Sequence, residues 1–182
     1  MIVPANFLDE FKTIASPLSV KKKEFLVKEG ETARYLGIIE QGSMFSYLEN
    51  RDLERQINGL YGPLSVVSSY RSFLTQTPSV GVVQAYADSE LWVISFARYE
   101  QLMDDPHWIR AFKWIGDQLY IEKCRKQTSL TTLAPLERHR LLLEEFPSIE
   151  LLFPQHMIAS LLNIRPETLS RLKSLDLCQD KS

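Results

Sequence analysis

The sequence FPQHMIASLLNIRPETLSRLKS at residues 153–174 predicts two short helices joined by a tight turn. Asn163 favours the left-handed conformation that ends a helix, and Ile164 then fills the turn with an apolar side chain. Pro166 suits the first turn of the second helix, because the N–H that proline lacks has no helical partner there. The apolar stripe of the first helix is formed by Met157, Ile158, Leu161 and Leu162.

One edge of the second predicted helix is apolar, because Leu169 and Leu172 lie three residues apart. Its other side chains face outward and suit base edges and phosphates, which is the arrangement of a helix-turn-helix. A helical hairpin with a solvated outer face is the alternative. The residues predicted to contact DNA are Arg165, Pro166, Glu167, Thr168, Ser170, Arg171 and Lys173.

Charge is distributed unevenly over the 182 residues, a length that suits one large or two small domains. The formal net charge of −2 is not the global basic signature of many nucleic-acid binders. Residues 1–106 contain ten Lys and Arg against fourteen Asp and Glu, whereas residues 107–182 contain eleven against nine. This asymmetry gives weak support to a phosphate contact in the C-terminal part.

Targeting signals and a disulfide framework are not indicated by the sequence. It contains no run of eighteen apolar residues, and the first eleven residues lack a basic start, so we expect neither a membrane span nor a signal peptide. Cys124 and Cys178 are far apart in different surroundings. This use of cysteine is typical of a reducing compartment and predicts a cytoplasmic protein.

The pattern before Pro106 predicts a short amphipathic helix at residues 4–15 and then an antiparallel roll or sandwich over residues 18–96. Short extended runs separated by turn residues indicate the roll. The predicted strands are residues 23–27, 35–40, 43–49, 81–86 and 90–95. The predicted breaks are 29–30, 41–42, 50–52, 58–59, 62–63 and 87–89.

Helical periodicity replaces the strand pattern after Pro106. Apolar residues recur there at spacings of 4, 3 and 4, close to a heptad seam. Burial within the same chain and burial in a dimer both explain this stripe. A further helix is predicted at residues 136–146, between two prolines. The stripe consists of Trp108, Phe112, Ile115 and Leu119.

Several motifs in this order of elements resemble the Crp/Fnr family, the bacterial cyclic-nucleotide-receptor type of transcription regulator. Residues 30–43, GETARYLGIIEQGS, resemble its strand–turn signature, and residues 85–95, AYADSELWVIS, resemble the strand pair that closes its β-roll. Residues 153–173 are similar to its helix-turn-helix. The sequences at 68–79 and 166–173 resemble one branch in particular, which is common in Bacteroidetes-type bacteria.

The resemblance implies an α+β fold: an N-terminal double-stranded β-helix (jelly-roll) effector domain at 1–105, a dimerisation helix and linker at 106–130, and a C-terminal helix-turn-helix domain at 131–182. It implies a homodimeric, sequence-specific transcription regulator with no membrane association. The implied partners are double-stranded operator DNA, a second copy and an unidentified small-molecule effector, with RNA polymerase as a further candidate. The dimer interface is then predicted at Trp108, Phe112, Ile115 and Leu119.

Base reading is implied by relatives with the pattern R-E-T-V-x-R, in which the first Arg, the Glu and the last Arg contact bases. Glu167 and Arg171 match this pattern, whereas Pro166 replaces the first Arg. Arg171 is therefore expected to bind guanine, and Glu167 is expected to accept from cytosine. The remaining polar residues are expected to hold phosphates or position the helix, namely Arg165, Thr168, Ser170 and Lys173.

The cyclic-nucleotide cassette of the family is changed in this chain. Members that bind cyclic AMP use a Glu for the ribose hydroxyl and an Arg for the cyclic phosphate. Val67 stands at about the position of that Glu, and Ser79-Val80 at that of the Arg. The sequence therefore predicts no cyclic AMP binding. The candidate effector-binding residues are Ser68, Ser69 and Arg71, although Arg71 also suits an ordinary surface position.

Cofactor and metal chemistries are not predicted. An iron–sulfur cluster needs four thiolates, and the chain has two cysteines. The three histidines, His107, His139 and His156, all lie in the helical half without metal-pair spacing, and we interpret them as ordinary helix or cap residues. Cys124 is interpreted as a small buried residue, with a redox role as the alternative.

Catalysis is not indicated either, because no nucleophile elbow, P-loop, zinc-protease motif or Cys–His arrangement is present. We therefore predict a non-enzyme with no catalytic residues. The main rival to a DNA-binding regulator is a ligand-binding or protein-interaction module of the same fold that does not bind DNA tightly. The negative charge, the changed cassette and a segment at 174–182 too short for the wing of many relatives favour that rival.

Overall fold

Two compact units make up the chain, Met1–Glu122 and Lys123–Ser182. The computed structural model describes residues 1–49 and 54–179. The predicted turn at residues 50–52 lies outside the described residues, as do residues 180–182 of the C-terminal segment and the side chain of Cys178.

The first unit contains two four-stranded antiparallel sheets, with strand orders β1-β8-β3-β6 and β2-β7-β4-β5. Most neighbouring strands in each sheet are distant in sequence, and this topology is typical of a jelly roll. The strands are β1 (Ser16–Val20), β2 (Phe25–Val27), β3 (Tyr35–Gln41), β4 (Met44–Glu49), β5 (Arg55–Tyr61), β6 (Val66–Val67), β7 (Val82–Ala85) and β8 (Ser89–Ser95). The helices of this part are α1 (Ala5–Lys12), α2 (Tyr70–Thr75), α3 (Phe96–Leu102) and α4 (Pro106–Thr132), and α4 continues into the second unit.

Apolar side chains from strands and helices share one core in this unit. Phe11 of α1 and Phe73 of α2 are fully buried in it, together with the central part of β3. Each such side chain stabilises the folded state by about 1.5–3 kcal/mol relative to an exposed position. The roll and its helices therefore form one hydrophobic unit.

Strand β5 departs from the sequence interpretation. The pair Asn58-Gly59 was predicted to break the chain, but it lies inside β5. Ser46 pairs with Gly59 and Tyr47 pairs with Ile57, so that Asn58 is the extra residue of a bulge. A Cβ atom on Gly59 would lie 2.3 Å from the Tyr61 hydroxyl oxygen, so the small residue serves close packing within the strand. The strand β1 was not predicted as a separate element.

Helix α4 corrects the predicted dimer interface. Trp108, Phe112 and Ile115 are 6%, 3% and 1% exposed, and they pack into the core of their own chain. Leu119 is half-buried against the same core. The prediction of a dimer seam is therefore wrong for Trp108, Phe112 and Ile115, because the core of the first unit already covers them, and it stays a prediction for Leu119. Burial within the same chain was the correct alternative.

The opposite face of α4 is exposed and partly apolar. Cys124 also lies on the surface, so its interpretation as a buried residue is wrong. Among the described residues, no helix is both long enough and apolar enough to cross a membrane. The exposed apolar residues of α4 are Ile109, Trp114, Tyr120 and Ile121.

The second unit is helical. Pro135 begins α5, where the backbone N–H of Ala134 donates to the Glu137 carboxylate over 2.8 Å and satisfies one free donor of the helix start. Its helices after α4 are α5 (Pro135–Glu145), α6 (Ile149–Leu152), α7 (Gln155–Leu161) and α8 (Pro166–Gln179). Its buried apolar residues are Phe146, Ile149, Phe153, Met157, Ile158, Ala159, Leu162 and Leu169.

Candidate nucleic-acid interface and effector region

The turn between α7 and α8 has the conformation that its sequence predicts. Asn163 has φ of +54°, in the left-handed region. The backbone N–H of Ile164 donates to the Ala159 carbonyl over 3.0 Å, and that of Asn163 to the Ser160 carbonyl over 3.0 Å. These bonds satisfy the last carbonyls of α7 and end it. Pro166 then begins α8.

Close packing fixes the angle at which α8 leaves this turn. Leu169 of α8 is fully buried, as are Ile158 and Ala159 of α7. The small side chain of Ala159 lets the second helix approach closely. Leu172 is half-buried, so the predicted apolar edge of α8 consists chiefly of Leu169.

Most of the predicted DNA-contacting residues lie on the outer face of this helix pair. Thr168 is half-buried. Glu167, Ser170 and Arg171 follow one another at helical spacing, so they share one face of α8. The exposed residues are Arg165, Pro166, Glu167, Ser170 and Arg171.

Lys173 differs from the other predicted DNA contacts. Its ammonium Nζ lies 2.9 Å from Oε2 of Glu150 on α6, and its side chain is 27% exposed. The other carboxylate oxygen of Glu150, Oε1, lies 3.0 Å from Nε2 of His139 on α5. The sequence interpretation treated Lys173 as a free phosphate contact and His139 as an ordinary helix residue. Their ion-pair and hydrogen-bond partner, Glu150, carries no motif and was missed.

Electrostatics keep Glu150 charged within this cluster. Burial acts to raise the pKa of the Glu150 carboxyl, but the hydrogen bonds from Lys173 and His139, together with the charge of Lys173, outweigh it. The pKa therefore lies below its ordinary value of 4.5. A carboxylate at neutral pH is the form that accepts both hydrogen bonds.

The candidate effector region surrounds α2 in the first unit. Ser69 and Ser79 meet there, with their hydroxyl oxygens 2.8 Å apart, and the Ser79 hydroxyl also donates to the Gly81 carbonyl over 2.6 Å. The Ser68 hydroxyl donates to the Tyr35 carbonyl of β3 over 2.8 Å. Arg71 lies on the exposed side of α2. The structure thus brings the hydroxyls of Ser69 and Ser79 together, whereas Ser68 is bonded to β3 and Arg71 is exposed.

An aromatic cluster that the sequence interpretation did not identify connects this region with α4. The Phe73 ring centroid lies 5.7 Å from that of Phe96 and 5.5 Å from that of Tyr99, in edge-to-face contacts. Tyr99 lies 5.0 Å from Phe112 of α4. Edge-to-face pairs of this kind stabilise by about 0.5–1.5 kcal/mol beyond their burial. These rings therefore join α2, α3 and α4 in one aromatic cluster.

Comparisons with known proteins give one family match and several solved structures of similar fold. Residues 17–105 match the family model described as "Cyclic nucleotide-binding domain". No curated protein matches the sequence. FixK2 from Bradyrhizobium japonicum is 20% identical, with a TM-score of 0.76 over 91% of this chain and 86% of that chain.

Two further solved structures have the same arrangement of elements. The c-di-GMP responsive global regulator CLP from Xanthomonas campestris is 21% identical, with a TM-score of 0.67 over 97% of this chain and 93% of that one. CooA from Carboxydothermus hydrogenoformans, solved as a mutant, is 15% identical, with a TM-score of 0.63 over 91% and 77%. Residues 17–105 are therefore a cyclic nucleotide-binding domain by sequence, and the chain shares the fold of FixK2, CLP and CooA.

Proposed function

We propose that this protein is a homodimeric, sequence-specific DNA-binding transcription regulator in which α7 and α8 form a helix-turn-helix. The observation that carries the proposal is the outer face of α8, where Glu167, Ser170 and Arg171 are exposed while Leu169 is fully buried. Helices of this kind place their N-terminal residues against base edges in the major groove. The likeness of fold to CLP, described as a regulator of virulence gene expression, supports this function. RNA polymerase is a proposed further partner.

Base recognition is assigned to Arg171 and Glu167. Arg171 has the planar, bidentate donors that match the O6 and N7 acceptors of guanine, and Glu167 accepts from the N4 amino group of cytosine. Arg165 lies at the start of α8 and is assigned to phosphate. Specificity then depends on a few residues, since Pro166 offers no donor.

The test is binding to an operator chosen by selection from random duplexes. Arg171→Ala is expected to lose its preference at one base pair of each half-site, by about 1–3 kcal/mol. The matched control is Arg34→Ala, which removes an exposed arginine from the other unit and is expected to bind like the wild type. Unchanged operator preference in Arg171→Ala would refute the assignment.

Dimerisation is assigned to the exposed face of α4, because the buried face is covered by its own chain. Trp114 and Ile121 lie one heptad apart and are 36% and 43% exposed. A two-fold protein matches an operator whose half-sites are about 34 Å apart, one turn of DNA. The proposed dimer thus uses side chains other than those that the periodicity alone indicated.

The effector domain is proposed not to bind cyclic AMP. Val67 is fully buried and offers no acceptor for a ribose hydroxyl. Ser79 is buried and uses its hydroxyl within the fold. A buried phosphate without a paired cation is strongly unfavourable.

A protein-interaction module with the same fold is the second candidate. The net charge of −2 and the internal ion pair of Lys173 favour it, because both reduce the positive field at α8. If the selection retains no duplex even at low salt, this second candidate replaces the first.

A further inference from the structure

We propose that Glu150 is a positioning residue of the α8 surface, which holds the Lys173 ammonium in an internal ion pair and so withdraws that cation from DNA. This inference rests on the proposed function of α7 and α8. It concerns three side chains of the second unit, His139, Glu150 and Lys173, which come from three different helices.

The geometry fixes the carboxylate from both sides. Oε1 of Glu150 is hydrogen-bonded to Nε2 of His139 over 3.0 Å. Oε2 accepts a hydrogen bond from the Lys173 ammonium over 2.9 Å. The side chains of His139, Glu150 and Lys173 are 3%, 30% and 27% exposed. Because His139 is enclosed, the carboxylate cannot turn away from Lys173 without losing a buried hydrogen bond.

The tautomer of His139 follows from its second nitrogen. Among the described residues, Nδ1 of His139 is buried and has no hydrogen-bond partner. An imidazolium would bury both a charge and an N–H without an acceptor there. The arrangement therefore fits a neutral ring that donates from Nε2, so that the charge of Glu150 is left to balance Lys173.

A partly buried, charge-assisted pair competes effectively with DNA phosphate. Salt screens such a pair less than it screens exposed charges, and hydrogen bonds between ionised groups are about twice as strong as neutral ones. Each phosphate that a protein cation neutralises makes log K fall with log[salt] by a further slope of about 0.9. In the wild type, Lys173 is expected to contribute nothing to that slope.

The experiment measures operator binding against salt for the wild type, Lys173→Met, Glu150→Gln and the double variant. Glu150→Gln keeps an oxygen acceptor for His139 but removes the charge that holds Lys173. It is expected to steepen the slope by about 0.9, whereas Lys173→Met alone is expected to leave it unchanged. The double variant is expected to return to the wild-type slope.

A second measurement observes the pair without DNA. The NMR signal of the Lys173 ammonium is expected to be protected from solvent exchange in the wild type and unprotected in Glu150→Gln. An unprotected wild-type signal, or a flatter slope in Lys173→Met alone, would overturn the role of Glu150 and leave DNA binding standing. Failure of all four proteins to bind any duplex, with the signal protected, would instead refute DNA binding and this role with it.

Discussion

Glu40 connects a helix to a sheet through its two carboxylate oxygens. Lys12 of α1 donates to Oε1 over 2.6 Å, and the indole N–H of Trp92 on β8 donates to Oε2 over 2.7 Å. The Lys12 ammonium also lies 5.5 Å from the Trp92 ring centroid. The hydrogen bond from Lys12, and then that from Trp92, lower the pKa of the Glu40 carboxyl below its ordinary value of 4.5.

This pKa shift predicts a pH-dependent stability. Because the folded pKa is lower than the unfolded one, the stabilisation is fully present above the ordinary value of 4.5 and is lost as pH falls through the folded pKa. Glu40→Gln should lower the free energy of unfolding at pH 7 by about 0.5–1 kcal/mol, since the site is partly exposed to solvent. Urea unfolding at neutral and strongly acidic pH measures this, and the difference should shrink in acid.

The control for this prediction is Glu100→Gln on α3, which removes an exposed carboxylate. We expect it to change stability by less than about 0.5 kcal/mol at either pH. Equal losses for Glu40→Gln at both pH values would show that packing, and not the charge of Glu40, stabilises the contact with α1.

Among the elements, helix α4 has two faces that differ in their exposure to solvent. One face is buried against the roll through Trp108, Phe112 and Ile115, and the other carries Trp114 and Ile121 at the surface. A stripe at heptad spacing has the same appearance whether a sheet or another helix covers it. The periodicity therefore predicted that the stripe is buried but did not identify its partner.

The exposed face gives a prediction about assembly. Ile121→Glu is expected to convert the proposed dimer into a monomer, because it places a charge in an apolar helix contact. Sedimentation at tens of micromolar measures the change. Val80→Glu is the matched control, since it makes the same substitution at an exposed apolar position of the roll and is expected to remain dimeric. A wild-type monomer under these conditions would contradict the proposal.

Across the whole molecule, residues 17–105 match the cyclic nucleotide-binding domain family, and we propose that this domain does not hold a cyclic nucleotide. The roll is closed by strands distant in sequence, and Phe73 of α2 packs against two aromatic rings of α3. The residues at the cassette positions serve the fold instead, because Val67 is part of the core and the Ser79 hydroxyl is bonded within the chain.

The corresponding prediction is that cyclic AMP and cyclic GMP produce no binding heat in calorimetry at millimolar concentration. Arg71 is exposed on α2, and Ser79 is bonded within the fold, so neither neutralises an enclosed phosphate. Micromolar binding that disappears in Arg71→Ala but persists in Arg34→Ala would contradict this and would locate the phosphate at Arg71.

The features of the chain that were predictable from sequence depend on interactions between residues close together in the chain. The turn at Asn163 and Ile164 depends on backbone preferences and bonds within a few residues, and so does the start of α8 at Pro166. The change from short strands to helices after Pro106 is of the same kind. These features were visible without any contact between distant residues.

Tertiary structure alone decided the rest. Asn58-Gly59 is a turn signal by local preference, yet β4 pairs with it and absorbs the extra residue as a bulge. The partner of Lys173 is Glu150, twenty-three residues earlier, and no spacing rule joins two side chains on separate helices. Such pairings depend on how the elements pack. A charge is paired, and an apolar surface is covered, by whichever group lies closest in space.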